Sequence, residues 1–397
     1  MRTPTDPQPE PPVPIARLAI ALFALQAGFH GYTASLPLAL TRAGVPDPEI
    51  GVIMGIAALV QVPAALAGGR LVDRFGGVRL LFLGGVAYLA GTAVFLLPWV
   101  EPGGPTAWFI LARVLQGIGI AGTLPAALSL VPAMVPKARV GLGLAFVGAA
   151  HNLTLVVLPV ISIAVLNAAS LGGVAVLVTG FVLAGAALLW RLPVKARSGP
   201  QDHPTASRRF GITYRRTWTL PLLVITTYVA HWGVVTAYLP ARAEAAGADI
   251  GLFFAADGIA IIAMRVPAGW LSDRLPGRVL ILAGGAATVV AMALLLLPPT
   301  TPILVLAGLA AGAGGAVIMT PILLQLSRRS SDADRGSAFA LFSAGLALAL
   351  TVGSIGAAPL IATAGFEVTL SIGIALVIVS MGVAALDRDE ARSRLAA

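Results

Sequence analysis

The chain has 397 residues, of which 58% are apolar and only 11% charged, and its mean hydropathy is +0.92. Soluble globular proteins carry about a quarter charged residues, so a water-soluble fold is excluded and lipid is the solvent for most of this chain. The net charge of +9 would point to nucleic acid in a soluble protein, but in lipid it first asks which side the cations face; the lack of cysteine excludes disulfides and thiolate metal sites.

The first residues, Met1-Arg-Thr-Pro-Thr-Asp-Pro-Gln-Pro-Glu-Pro-Pro, read as a polar cytoplasmic tail over 1–14. The apolar run that follows is too long for a signal-peptide core and reads as a retained membrane helix. A helix needs about 20 apolar residues to cross ~30 Å of hydrocarbon. Runs bounded by Pro, Gly and charge place helices at 15–40, 49–70, 79–98, 107–134, 140–167 and 171–192. After a polar linker over 193–217 they resume at 218–241, 249–271, 279–298, 302–327, 336–362 and 368–386, and a cytoplasmic tail over 387–397 closes the chain. A membrane β-barrel is excluded by unbroken runs such as Leu80 to Leu97, which lack alternation. The fold class is therefore an all-α membrane protein, twelve helices in a six-helix bundle over 15–192 and a second over 218–386.

With the N-terminus inside, only Arg42 and Arg242 of the 26 Lys and Arg fall in outer loops, and only Arg113 and Arg265 fall well inside helices, the others standing in inner tails and loops or at the cytoplasmic helix ends. The positive-inside rule then sets both termini in the cytoplasm of a cell inner (plasma) membrane. The halves also repeat. Gly69-Arg-Leu-Val-Asp73-Arg74 after the second helix returns as Gly269-Trp-Leu-Ser-Asp273-Arg274 after the eighth, and Leu36-Pro37 ending the first returns as Leu239-Pro240 ending the seventh. Pro125 precedes Arg139 by the same interval as Pro321 precedes Arg335. Parallel six-helix repeats of this kind are a transporter architecture.

At the loop after helix two, Gly69, Leu71, Asp73, Arg74 and Gly76 match the Gly-x-Leu-x-Asp-Arg-x-Gly pattern of the major facilitator superfamily. Arg113, Gln116, Gly117 and Gly119 match its Arg-x-x-Gln-Gly-x-Gly pattern in helix four. The chain resembles that superfamily, in its bacterial type, over nearly its whole length. The loop departs from the pattern where Gly77-Val78 replace cations, and the second copy is shifted by Leu275-Pro276. The resemblance implies two six-helix bundles and a gating role for Gly69, Asp73, Arg74 and Gly76 with their counterparts Gly269, Asp273 and Arg274. It sets Asp73 against the start of helix eleven near Gly336, and Asp273 near Gly141. A carboxylate is stabilised at a helix N-terminus, which fits that contact; the same residues also serve if they only cap a tight turn.

Ionisable groups within membrane helices are candidates for function. At 1.5 Å per residue, His30, His151 and His231 lie about 22, 16 and 20 Å from the cytoplasmic ends of their helices, so all three suit one central site. Tyr32, Gln116, Asn152, Tyr228 and Trp232 are its neighbours along those helices. Histidine binds or shuttles a proton near neutral pH, although each ring also suits a static helix-to-helix hydrogen bond. Asp257 is the carboxylate deepest in an apolar run, a proton-coupling group or a fixed partner for a nearby base. Arg113 is close enough to the outer end of helix four to snorkel, and the resemblance links its motif to proton-coupled transport. Arg265 precedes Val266-Pro267 and reads either as part of the pathway or as a clamp on backbone carbonyls.

No HExxH or GxSxG motif occurs, and neither Lys137 nor Lys195 precedes Ser or Thr as a phosphate loop requires. An enzyme and an ATP pump are thereby disfavoured, and no catalytic residue, metal or cofactor is expected. The leading expectation is a monomeric secondary transporter in membrane lipid, moving a small-molecule substrate by alternating access: proton-coupled efflux of a neutral or amphipathic solute. Helix five offers Leu155-Val-Val-Leu158-Pro159 where drug–proton antiporters carry a Gly-rich motif, which weakens antiport. Uptake or exchange of a small organic anion is the alternative, drawn by Arg113, Arg265 and protonated histidines. A non-transporting membrane receptor or scaffold is a distant third.

Overall fold

In a computed structural model the chain is described over residues 13–136, 139–190, 213–272, 274–331 and 334–386. The expected N- and C-terminal tails and most of the linker lie outside the described residues, as do Asp273, the side chain of Asp73 and the surroundings of Gly69 and Gly141.

Every described element is helical: α1 Val13–His30, α2 Ser35–Arg42, α3 Asp47–Phe75, α4 Gly77–Val94, α5 Thr106–Met134, α6 Val140–Ala168, α7 Leu171–Trp190, α8 Thr219–Ala245, α9 Ile250–Ser272, α10 Gly277–Leu296, α11 Thr301–Arg328, α12 Arg335–Thr351 and α13 Ala358–Ala385. They form twelve stretches long and apolar enough to cross a membrane, α1 and α2 counting as one. Large apolar side chains such as Leu83, Val86, Leu183, Val290 and Ile378 stand more than half exposed on the outside of the bundle, as lipid-facing positions should. The starts follow local chemistry. Pro48 stands at the first turn of α3 beside Asp47 and Glu49, where a missing N–H costs nothing and acids complement the helix dipole. The Thr300 hydroxyl accepts from the Ile303 N–H to cap α11.

Two features depart from a simple reading of the runs. The first span, expected as one helix over 15–40, breaks into turns at residues 31–34. Pro37 lacks the N–H that would bond the Thr33 carbonyl, and it disfavours helical geometry at Leu36; the Tyr32 and Thr33 amides bond instead to Phe29 and His30 three residues back. Near the other terminus, α12 runs into a π-helical turn at Val352–Gly356, and α13 is interrupted at Gly365, whose φ is 80°. Residues 358–364 thus extend the eleventh span, and the twelfth begins beyond Gly365, close to the division expected at 362 and 368.

The first six spans meet the last six chiefly at one end. There α2 packs on α8, α6 on α9, and α3 on α8 and α12. At the opposite end, a side chain begun at Gly148 of α6, Gly269 of α9 or Gly336 of α12 would meet nothing within 4 Å among the described residues.

Candidate substrate pathway

The break in the first span leaves His30 at the last turn of α1, 4% exposed. Its ring centroid is 5.5 Å from that of His151 on α6, the planes inclined at 60°. Both ring nitrogens of His30, and Nδ1 of His151, are buried without a hydrogen-bond partner among the described residues. Phe29 sits edge-on to His30 at 5.1 Å, and its other neighbour is the Arg113 guanidinium of α5, 4.9 Å from the ring centroid.

Arg113 is 2% exposed. It donates from Nη1 to Gln116 Oε1 at 2.8 Å and from Nη2 to the Met54 carbonyl of α3 at 3.2 Å, while Nε has no partner. It makes no ion pair among the described residues. Burying an unneutralised cation costs several kcal/mol; one amide oxygen, one carbonyl and a ring face worth about 0.5–2 kcal/mol offset only part of that. Arg265, exposed on α9, lies within electrostatic range of His151.

Behind this cluster, the Tyr88 ring packs against the backbone at Gly28 and Gly119, where a side chain would collide with it. Its hydroxyl donates to Gln26 Oε1 at 3.0 Å. A second polar cluster forms on α8. Tyr228 bonds Thr288 of α10 at 3.0 Å, and His231 donates from Nδ1 to the Tyr228 carbonyl and lies against Gly373 of α13. Trp232 stacks on Phe253 at 6.3 Å. Asp257 of α9 is 6% exposed, close enough to Tyr228 to act on it electrostatically, and in no ion pair among the described residues.

The packed end is clasped by polar bonds. Arg42 of α2 donates to both Glu244 oxygens of α8, at 2.8 and 3.2 Å, and to Asn167 Oδ1 of α6 at 2.8 Å. Beneath it the Tyr238 hydroxyl donates to the Ser354 carbonyl in the π-helical turn. Both press on α3 where Gly51 leaves room: a Cβ there would lie 1.8 Å from the Tyr238 hydroxyl oxygen. Across the molecule Gly258 of α9 receives Val156 of α6 in the same manner, with a Cβ meeting the valine at 2.4 Å.

The sequence profile of the Major Facilitator Superfamily matches residues 18–249 and 222–396, which together span nearly the whole chain. The chain belongs to the Major Facilitator Superfamily. Solved structures agree in fold: peptide transporter POT in complex with sulfate superposes with a TM-score of 0.75 at 16% identity, covering 94% of each chain. A variant of nucleoside transporter NupG gives 0.73 at 12% identity, covering 94% of this chain and 98% of that one. No curated protein matches it in sequence. This superfamily member is an all-α membrane protein and a transporter.

Several expectations are revised by the geometry. The three histidines do not share one site: His30 and His151 pair, whereas His231 is turned into contacts among α8 and α13. Arg113 does not snorkel, because Gln116 and the Met54 carbonyl hold its guanidinium inside. Arg265 donates to no backbone carbonyl among the described residues and is no clamp. Asn152 donates to the Gly148 carbonyl of its own helix at 2.8 Å, and the Tyr32 ring lies tilted at 45° to Phe95, 4.8 Å away by centroid. In the loop motif Arg74 is exposed and lies 5.5 Å from the Phe75 ring, Gly76 ends α3 with a φ of 78°, and Arg274 lies over Trp270. The expected contact of Asp73 with Gly336 lies outside the described residues, because the side chain of Asp73 does. The clasp at Arg42 was missed, though a readable signal existed: cations are rare in the outer loops, and Glu244 stands in the opposite one.

Proposed function

We propose that this transporter works by alternating access, with bundles 15–192 and 218–386 rocking about the His30–His151 region to export a small amphipathic solute in exchange for protons. The excess of Lys and Arg in alternate loops supports cytoplasmic termini in a plasma membrane. On that orientation the clasped end faces outward and the open end faces the cytoplasm, as an exporter needs in order to load.

One observation carries proton coupling: Asp257, buried and without an ion pair, sits in the second set of spans within reach of Tyr228, while His30 stands with both nitrogens unpartnered in the first. Buried ionisable groups with no fixed counter-charge are suited to changing protonation during a transport cycle. Its test is proton movement in proteoliposomes under a library of solutes, with Asp257→Asn and His30→Ala beside the unmodified protein. Solute-evoked proton flux lost in either variant supports the reading. Solute crossing with no proton movement and unaffected variants overturns it.

A second reading, uptake or exchange of a small organic anion, is favoured by Arg113, buried with no carboxylate partner. The sign of the proton flux separates export from uptake.

A further inference from the structure

The side chains that gather at the His30–His151 region, two imidazoles and two guanidiniums, each carry at least one N–H donor. His30 is 4% exposed, and among the described residues neither of its ring nitrogens has a partner; His151 stands 5.5 Å away by ring centroid, with Nδ1 unpartnered on the same terms. Arg265 of α9 acts electrostatically on His151, and Arg113 of α5 acts on His30. No carboxylate is among the groups acting on either histidine. Asp257, eight residues before Arg265, lies ~12 Å from it along the helix and acts on Tyr228 instead. Donors buried without acceptors are costly unless a ligand satisfies them.

We propose that the transported solute carries a carboxylate, and that His30, His151 and Arg265 form the subsite that binds it. This deepens the transport reading and rests on it: His30 serves both, while Asp257 remains a coupling group apart from the substrate head. Size and charge favour a carboxylate over a dianion: two imidazoles and one accessible guanidinium offer a few donors in apolar surroundings, with Phe29 beside His30. Arg113 supplies field rather than contact, since its Nη atoms already serve Gln116 and Met54. Because Arg265 belongs to the last six spans and the histidines to the first six, a bound carboxylate would bridge the two sets. Occupancy would then draw together the end that now stands open.

The experiment is equilibrium binding to the full-length protein in nanodiscs. The probes are benzoate, 2-naphthoate, octanoate and dodecanoate, each beside its uncharged primary amide. At least one carboxylate should bind saturably and at least about tenfold tighter than its amide, the size expected when a charge-assisted hydrogen bond is lost. Arg265→Gln should remove that preference and Arg265→Lys should keep most of it; Arg265 is exposed, so neither change opens a hole in the packing. His30→Gln, which retains a donor, should weaken carboxylate binding less than His30→Leu. Equal binding of acids and amides, binding of none of the acids, or a preference that survives Arg265→Gln overturns the proposal. Proton flux evoked by an uncharged amide and lost in Asp257→Asn leaves the transport reading standing while this one falls. Carboxylate binding that depends on Arg265 in a protein that moves no protons does the reverse.

Discussion

Arg42 grips Glu244 with two hydrogen bonds, at 2.8 and 3.2 Å, and so ties the first span to the seventh at the packed end. Both side chains are more than a third exposed, so the pair is screened and worth about 0.2–1 kcal/mol. Arg42→Ala should shift the balance between the two open states by about 1.5- to 5-fold toward opening at this end. The chain has no cysteine, so a single cysteine at Thr236 gives a clean reporter. Faster labelling in the variant is the expected result, and an unchanged rate rejects the clasp.

Gly51 sets a stricter condition. A methyl group there would collide with the Tyr238 hydroxyl and lie 2.9 Å from the Ser354 carbonyl, and overpacking of this kind costs about 1–3 kcal/mol. Gly51→Ala should hold the packed end open by about 5- to 150-fold in population and depress transport accordingly. Cysteine accessibility and solute flux on the same preparation check it. Normal flux in a folded Gly51→Ala protein would show that α3 and α8 need not approach so closely.

Gln116 is the side-chain acceptor of the buried Arg113. Gln116→Leu leaves that cation with the Met54 carbonyl and the Phe29 ring face, which should cost about 1–3 kcal/mol and lower the melting temperature. The double variant Arg113→Met with Gln116→Leu should recover much of the loss, because the uncompensated charge goes with it. Thermal unfolding of the four proteins completes the cycle, and additive losses would count against the coupling.

Outside the membrane, Asp334 is held below the ordinary carboxylate range, first by the Ser331 hydroxyl at 2.8 Å and then by Arg215, with which it pairs. A depressed pKa in the folded state means stability that is present above the unfolded value of ~3.9 and lost as pH falls through the folded value. Asp334→Asn should therefore lower the melting temperature at pH 7, and the difference from the unmodified protein should shrink as pH falls below the unfolded value of ~3.9. A gap that persists at low pH would show that Asp334 acts by packing and not by charge.

Helix number, the even span count, the repeat and the family were all legible along the chain. They rest on quantities local in sequence: run length against hydrocarbon thickness, the side on which cations fall, and short motifs at matching places. Arg113 and Gln116 were legible as partners for the same reason, since three residues on one helix share a face. What folding decided is which helix faces turn toward one another. Helices apolar all round carry no stripe to fix their rotation, so no local pattern could show that His151 turns to His30 while His231 turns to α13. The break at residues 31–34 likewise needed Pro37 and the packing around it together. Arg42 with Glu244, Gly51 with Tyr238, and Arg265 with His151 join residues more than a hundred positions apart, and only the packing of whole helices brings such pairs within reach.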